Sequence, residues 1–412
     1  MTEYYPRDIA DAIRTALENM PVVVVTGMRQ TGKTTFLRSQ PDLDDRIYVS
    51  FDDFSQLEAA KGDPDGFVNR SKPITIDEAQ KCPEIFAAIK RVVDKGRIPG
   101  QFLLSGSANF SILKSKTESL AGRSVYLAIH PFNRREIRKQ TTPEPFVKNF
   151  FKTQDIRFKS PINAIRPEEV ALGGMPTVCL NQIKEPAIWF RGYEQTYLER
   201  DVRELSQVGN LLALRALLQL TSLRAGQLLS PSQLGRDAKL NAATTSRYIS
   251  LFEASFLITR IPPYLRNRSS RLIKSNKLYL SDTGLACHLA GLDMSSSIKY
   301  DPLFCALFET YVAQNLLSIL NSRWQDAVLY FWSIQGRNEV DFVIEAGRSC
   351  IALELKSAAR WQGRDLAGLN AFLKATPHCK AAILCHNGED AVKLGERLWH
   401  YRSISFFHNM NE

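Results

Sequence analysis

The stretch PVVVVTGMRQTGKTTFLRS, residues 21–39, constrains the fold of this chain more than any other. Val22 to Val25 followed by Thr26 make an uninterrupted apolar run of strand length, the pattern of a strand covered on both faces. Gly27-Met28-Arg29-Gln30-Thr31-Gly32-Lys33-Thr34 then fits GxxxxGK[ST], and a helix is predicted to begin at Lys33. A strand, a glycine-bounded loop and a helix N-terminus in that order aim backbone N–H groups at one point, which is a cradle for phosphate. Gly27 and Gly32 permit the turns, Lys33 can reach the β- and γ-phosphates, and Thr34 can ligate magnesium. Gly27 through Thr35 is therefore the expected nucleotide-binding segment, with ATP and Mg2+ as its ligands.

The next segments extend this α/β pattern. RIYVSFDD (46–53) and PITIDEAQ (73–80) read as a second and a third strand. The third ends in Asp77-Glu78, which suits a magnesium-orienting Asp beside a Glu that polarises the attacking water. An acidic strand end that caps the following helix is the plainer alternative. GQFLLSGSANF supplies a fourth strand, and Ser105, Ser107 or Asn109 at its tip can contact the γ-phosphate or form a simple turn. TESLAGRSVYLAIHP places Arg123 just before a fifth strand. A small-molecule kinase fits less well, since Asp-Glu suits water activation and no lid for a small acceptor is evident.

Five strands with the phosphate loop after the first, Asp-Glu after the third and a polar tip after the fourth resemble the AAA+ ATPase core. That resemblance implies that Arg123 is an arginine finger serving a neighbouring subunit, and hence a homo-oligomer, a hexameric ring being one form. A surface Arg ending the LAGR turn is the other reading. Arg200, in YLERDVREL, is the nearest candidate for a lid arginine and can equally pair with acids on its own helix.

At 412 residues the chain is too long for one ordinary core, so two to three domains are expected. No apolar run approaches the roughly 20 residues of a membrane span. The N-terminus lacks a basic-then-apolar leader, so a cytoplasmic location without membrane contact is expected. Seven scattered cysteines, never spaced CxxC, read as reduced thiols, and the apolar centre of HCKAAILCH reads as a buried strand. A net charge of +10 favours polyanionic partners.

Residues 136–185 read as a connecting or extended region. From Pro186 the pattern turns helical, and LSPSQLGRDAKL followed by NAATTSRYISLFEASFLI has helix-turn-helix spacing. Leu234, Leu240, Ile249, Leu251 and Phe252 are its expected inner face. Thr244, Thr245, Arg247 and Tyr248 would face a DNA groove, and Arg266, Arg268, Arg271, Lys274 and Lys277 on a following wing would meet phosphates. A winged helix used as a subunit contact remains the alternative.

In the C-terminal third, NEVDFVIEAGRSCIALELKS (338–357) reads as two strands joined by a turn. Period-2 alternation puts Ile351, Leu353 and Leu355 on one side, and Ala352, Glu354 and Lys356 on the other. A helix carrying Glu309, a strand Asp341 and Glu354-x-Lys356 on the paired strand resemble the PD-(D/E)xK nuclease superfamily. The resemblance implies that Asp341 and Glu354 hold Mg2+, that Glu309 completes the acidic shell, and that Lys356 positions or deprotonates water. Val340 stands where that pattern has Pro. A decayed nuclease fold, a DNA clamp and a solvated edge hairpin stay open.

GMRQTGKTT, TIDEAQ, LLSGS, LAGR, YLERD, LYLSDTGLA, LFETYV, EVDFVI and LELK, in this order, resemble a prokaryotic family joining an AAA+-like ATPase to a nuclease-like domain. The expected fold is α/β throughout. An AAA+-like parallel-sheet ATPase domain would span 1–135, a connecting region 136–185, and a helical and winged-helix domain 186–298. A restriction-endonuclease-like domain would span 299–412. The expected function is a Mg-dependent ATP hydrolase that binds duplex or branched DNA and processes it. The alternative is an ATP-controlled DNA-binding or regulatory switch whose nuclease-like domain is inactive.

Overall fold

The computed structural model describes residues 3–106, 120–142, 144–155, 164–197, 210–334, 338–388 and 391–402. The chain divides into two compact units, Met1–Pro131 with Ala254–Leu257, and Phe132–Glu253 with Ile258–Glu412.

The first unit is built on five strands: β1 (Val22–Thr26), β2 (Ile47–Ser50), β3 (Ile74–Asp77), β4 (Phe102–Ser105) and β5 (Ser124–Ala128). They run parallel in the order β2-β3-β4-β1-β5. The valine run is explained by this sheet. Val22 and Val24 join the core that holds Ile76, Phe102 and Phe86 of the helix Glu84–Lys95. Val23 and Val25 point the other way, to Leu103, Phe36 and Ile13 of the helix Ala10–Asn19. A strand with helices on both faces has no side that tolerates a polar residue. Since all five strands are parallel, β1, β3 and β4 bring their C-terminal ends to one edge, where Thr26, Asp77 and Ser105 lie.

In the second unit, β6 (Ile258–Ile261) and β7 (Lys277–Leu280) pair antiparallel, with a helix at Arg268–Ile273 between them. The helices Pro231–Asp237 and Ala242–Ala254 precede this hairpin. A six-stranded sheet follows: β8 (Ala327–Ile334), β9 (Asn338–Ala346), β10 (Ser349–Lys356), β11 (Cys379–His386), β12 (Val392–Lys393) and β13 (Leu398–Arg402). Its order is β12-β13-β11-β10-β9-β8. β8, β9 and β10 form an antiparallel meander, and β10, β11 and β13 run parallel. Leu369 and Phe372 of the helix Ala367–Ala375 pack on Val340, Val343 and Ala352.

Two stretches differ from expectation. Much of 136–185 is helical and contributes to the core. Phe146 and Phe150 of the helix Phe146–Thr153 are buried, with Phe146 stacked on Tyr401 at 5.3 Å and Phe150 edge-on to Trp399 at 5.7 Å. The i, i+4 spacing of these rings in PFVKNFFK is a helical stripe, hidden in sequence by the surrounding Pro, Lys and Thr. The hairpin centre is a short helix started by Asn267, whose side chain accepts from Ser269 N, rather than a plain wing loop. Among the described residues no helix is long and apolar enough to cross a membrane.

Candidate functional site

The phosphate loop leaves β1 at Gly27, whose φ of 141° is in the region open to glycine, and enters the helix Lys33–Ser39 through Gly32 at φ 88°. A β-carbon on Gly27 would stand 2.2 Å from the carbonyl oxygen of Ile129, so the close approach of loop to β5 excludes any side chain. Met28 and Thr31 are buried beneath the loop, and Thr31 Oγ1 donates to Met28 O at 2.9 Å. Arg29 is half-buried, and Gln30, Thr34 and Thr35 are exposed. Lys33 Nζ folds back onto the carbonyls of Gly27 (3.0 Å) and Met28 (2.8 Å). An ammonium held by two loop carbonyls marks the spot where a phosphate would offer it stronger, charged acceptors.

Asp77, buried at the end of β3, is the hub of the site. Its Oδ2 accepts from Thr34 Oγ1 at 2.7 Å and from Tyr48 OH at 2.9 Å. Its Oδ1 accepts from Ser105 Oγ and from Glu78 N. Thr34 and Asp77, the pair expected to hold Mg2+, are thus already joined, and the loop, Lys33, Thr34 and Asp77 fit a magnesium nucleotide. Glu78 sits at φ 55°, a left-handed conformation that costs a non-glycine residue energy and turns its side chain from the strand. Burial pushes the Glu78 carboxyl up, against the lowering effects of Gln80, which donates to its Oε2, and of Lys33. A raised carboxyl suits a group that takes a proton from water.

Two residues at this edge, Arg7 and Tyr48, escaped sequence reasoning. Arg7, buried, donates to Thr31 O at 2.7 Å and to His130 O at 2.6 Å, tying the loop to the segment after β5. Tyr48 reaches Asp77 because β2 pairs with β3 in the register Ser50 to Asp77. Ser105 was expected near the γ-phosphate, but its hydroxyl is taken by Asp77. Ser107, Asn109 and Arg200 lie outside the described residues. Arg123 forms a two-pronged pair with Asp94, Nε to Oδ1 at 2.6 Å and Nη2 to Oδ2 at 3.0 Å. As a finger it would first have to leave Asp94.

The C-terminal residues also converge. Glu309 from the helix Phe304–Arg323, Asp341 from β9, and Glu354 and Lys356 from β10 line one cavity of about 590 Å3. Leu355 N donates to Asp341 Oδ2 at 2.7 Å, and Lys356 Nζ donates to Glu354 Oε1 at 3.0 Å. Glu354 Oε2 is buried without a hydrogen-bond partner among the described residues. Burial and the nearby Glu309 and Glu354 carboxylates push the Asp341 carboxyl far up. Into this cavity comes Lys277 of β7. Its Nζ pairs with Glu309 Oε1 at 3.0 Å and with Glu339, while Tyr279 OH donates to the same Glu309 oxygen at 2.6 Å. Among the described residues no three His, Cys, Asp or Glu side chains converge as metal ligands. As placed, the cavity does not fit a metal, because an ammonium stands where the cation would go.

The expected DNA-facing residues divide in the same way. Thr245 and Tyr248 are buried in the core side of their helix, not offered to a groove, and Arg247 is exposed. Lys277 is spent on acids, and so is Arg271, which pairs with Glu345 at 2.6 Å between the rings of Tyr264 and Tyr330. Glu345 lies 74 residues downstream of Arg271, beyond the reach of a local reading. Arg266 and Lys274 remain exposed, and the side chain of Arg268 lies outside the description.

With the geometry in hand, comparison with known proteins identifies the class of the first unit. Residues 19–138 match the family described as an AAA domain, and with the parallel sheet and phosphate loop they form a P-loop ATPase-type domain. Residues 166–296 and 304–406 match two domains of unknown function, DUF8612 and DUF4143. Uncharacterized proteins of Mycobacterium tuberculosis and Mycobacterium bovis are each 28% identical over 357 residues, 85% of this chain and 73% of theirs. A Walker-type ATPase of Pyrococcus abyssi is similar over 70% of this chain and 99% of its own, at 13% identity and a TM-score of 0.42. The RuvB Holliday junction branch migration motor of Thermotoga maritima is similar over 62% of this chain and 89% of its own, at 15% identity and 0.29.

Proposed function

We propose that this chain is a Mg-dependent ATP hydrolase that binds DNA, its nucleotide state governing the DNA contact. The observation that carries the hydrolase reading is the Asp77 hub, joined to Thr34 and flanked by Lys33 and Glu78 at one sheet edge. When bound, Mg2+–ATP supplies the electrophilic phosphorus and the metal that offsets its charge. Lys33 exchanges the Gly27 and Met28 carbonyls for phosphate oxygens. Thr34 and Asp77 orient the metal side of the site, and Tyr48 and Ser105 keep Asp77 in place. Glu78, released from Gln80, accepts the proton of the attacking water. Arg123, leaving Asp94, would serve the site of a second copy of the chain.

DNA binding is supported by the +10 charge and by exposed Arg247, Arg266 and Lys274. Arg266, Arg348 and Lys374 line a second cavity of about 860 Å3 and have no ion-pair partner among the described residues. The C-terminal domain acts here as a binding element, because Lys277 neutralises the carboxylates a metal would need. Cutting is a second reading, favoured by Asp341 and Glu354-x-Lys356 on adjacent strands of one cavity.

ATP turnover with Mg2+ tests the hydrolase, for wild type, Glu78→Gln, Arg123→Ala and an equal mixture of the two variants. Glu78→Gln should bind ATP without turning it over, and the mixture should recover turnover that neither variant has. Wild type no faster than Glu78→Gln overturns the hydrolase, and a mixture without recovery overturns the shared finger. Fluorescence anisotropy with duplex and branched DNA should show salt-sensitive binding, and its absence overturns the DNA partner. Cleavage of either DNA lost in Asp341→Ala would establish cutting.

A further inference from the structure

We infer that Lys277 is a built-in cation of the C-terminal carboxylate cavity, so that Glu309, Asp341 and Glu354 do not fit a divalent metal while its ammonium is in place. The inference rests on the reading of this cavity as a carboxylate site, which removal of Lys277 would turn into one able to take a metal. Lys277 is placed there by a rigid support. β7 pairs with β6 on one side, and on the other Leu278 exchanges backbone hydrogen bonds with Gly226 (2.7 Å) and Gln227 (3.0 Å). Lys277 and Tyr279, two residues apart, share a face of β7 and deliver two donors to one oxygen of Glu309. The Lys277 side chain is 7% exposed, so its charge is answered by protein carboxylates and not by water.

A second contact holds the same hairpin to the same strand. Arg271 grips Glu345 through both terminal nitrogens, at 2.6 and 3.3 Å, and Lys277 grips Glu339. Glu339 and Glu345 flank Asp341 along β9, so the hairpin holds the strand on either side of Asp341. Lys277 Nζ and Tyr279 OH already occupy Glu309 Oε1, so a divalent cation drawn to this carboxylate would meet a charge answered by an ammonium. Two cations on one buried carboxylate repel, so each weakens the hold of the other.

The test is Mn2+ binding to the full chain without nucleotide, read as free Mn2+ by electron paramagnetic resonance. Wild type, Lys277→Arg, Lys277→Met and Lys277→Met/Asp341→Asn are compared, each with a circular-dichroism melt. Lys277→Met should bind Mn2+ at least ten-fold more tightly than wild type, Lys277→Arg should resemble wild type, and Asp341→Asn should abolish the gain. If Lys277→Met does not fold, Glu339→Gln, which loosens one anchor of Lys277, should still tighten binding several-fold. Equal Asp341-dependent affinity in wild type and the loosened variants overturns the competition and leaves the metal reading standing. No Asp341-dependent Mn2+ binding in any of them overturns the metal reading and the inference with it.

Discussion

Gly27→Ala is the sharpest perturbation of the nucleotide site. The added β-carbon would lie 2.2 Å from the Ile129 carbonyl oxygen and 3.1 Å from its carbon, and Gly27 sits at φ +141°. Relief to ordinary van der Waals contact requires the loop or the end of β5 to move by roughly 1 Å, a displacement that already misaligns a binding site. β5 cannot yield freely, since Ile129 N donates to Thr26 O at 2.8 Å and Arg7 links Thr31 O with His130 O. The loop therefore shifts, and backbone strain at a non-glycine residue adds about 1–3 kcal/mol. Losing two N–H bonds to a charged phosphate, each worth about 1.5–3 kcal/mol, predicts ATP binding at least ~100-fold weaker. Titration with a fluorescent ATP analogue and Mg2+ measures this, beside a circular-dichroism melt. Gly62→Ala is the control, because nothing lies within 4 Å of its β-carbon position. Affinity of Gly27→Ala within three-fold of wild type would refute the reasoning.

Two further outcomes follow from hydrogen bonds at buried carboxylates. Tyr48→Phe removes one of the donors to Asp77 and leaves Thr34, Ser105 and Glu78 N, so urea unfolding should show a loss of about 1–2 kcal/mol. An unchanged midpoint would show that Tyr48 does not support Asp77. Asp282, buried at the start of the helix Thr283–Leu289, accepts from Gly174 N at 2.7 Å and Leu285 N at 2.8 Å, and burial pushes its carboxyl up to about 6. Its folded value lies above the unfolded 3.8, so its contribution is complete below pH 3.8 and is lost as pH rises through about 6. Asp282→Asn should therefore gain on wild type between pH 4 and pH 7 by up to ~3 kcal/mol, measured by chemical unfolding across that range. A difference independent of pH would refute the assignment.

The legible parts of this protein are those where neighbours in sequence are neighbours in space. The valine run, the glycines of the loop, Lys33 and Thr34 all act within one strand-loop-helix, so their geometry is local. Glu354 and Lys356 announced themselves as charges alternating with Leu353 and Leu355 on a strand. Lys277 and Tyr279 alternate with Leu278 and Leu280 in the same way, but a basic hairpin was read as facing DNA because its partners were far off. Glu309 and Glu339 lie 32 and 62 positions away in the chain, and no local pattern links them to Lys277. Thr245 and Tyr248 show the same limit, since which face of a helix is inward depends on what packs against it.

Sequence alone determined the class of the first unit, because a phosphate cradle needs a particular order of residue types that few other folds can use. It also determined that charges sit on one face of β10, since strand periodicity is a local law. Tertiary structure decided what those charges meet. It brought Tyr48 and Arg7 to the nucleotide edge, paired Arg123 with Asp94 on a separate helix, and put Lys277 among the acids of the C-terminal cavity. Electrostatic partners are chosen by distance in space, and that distance is set by strand order and packing, which no single stretch of chain encodes.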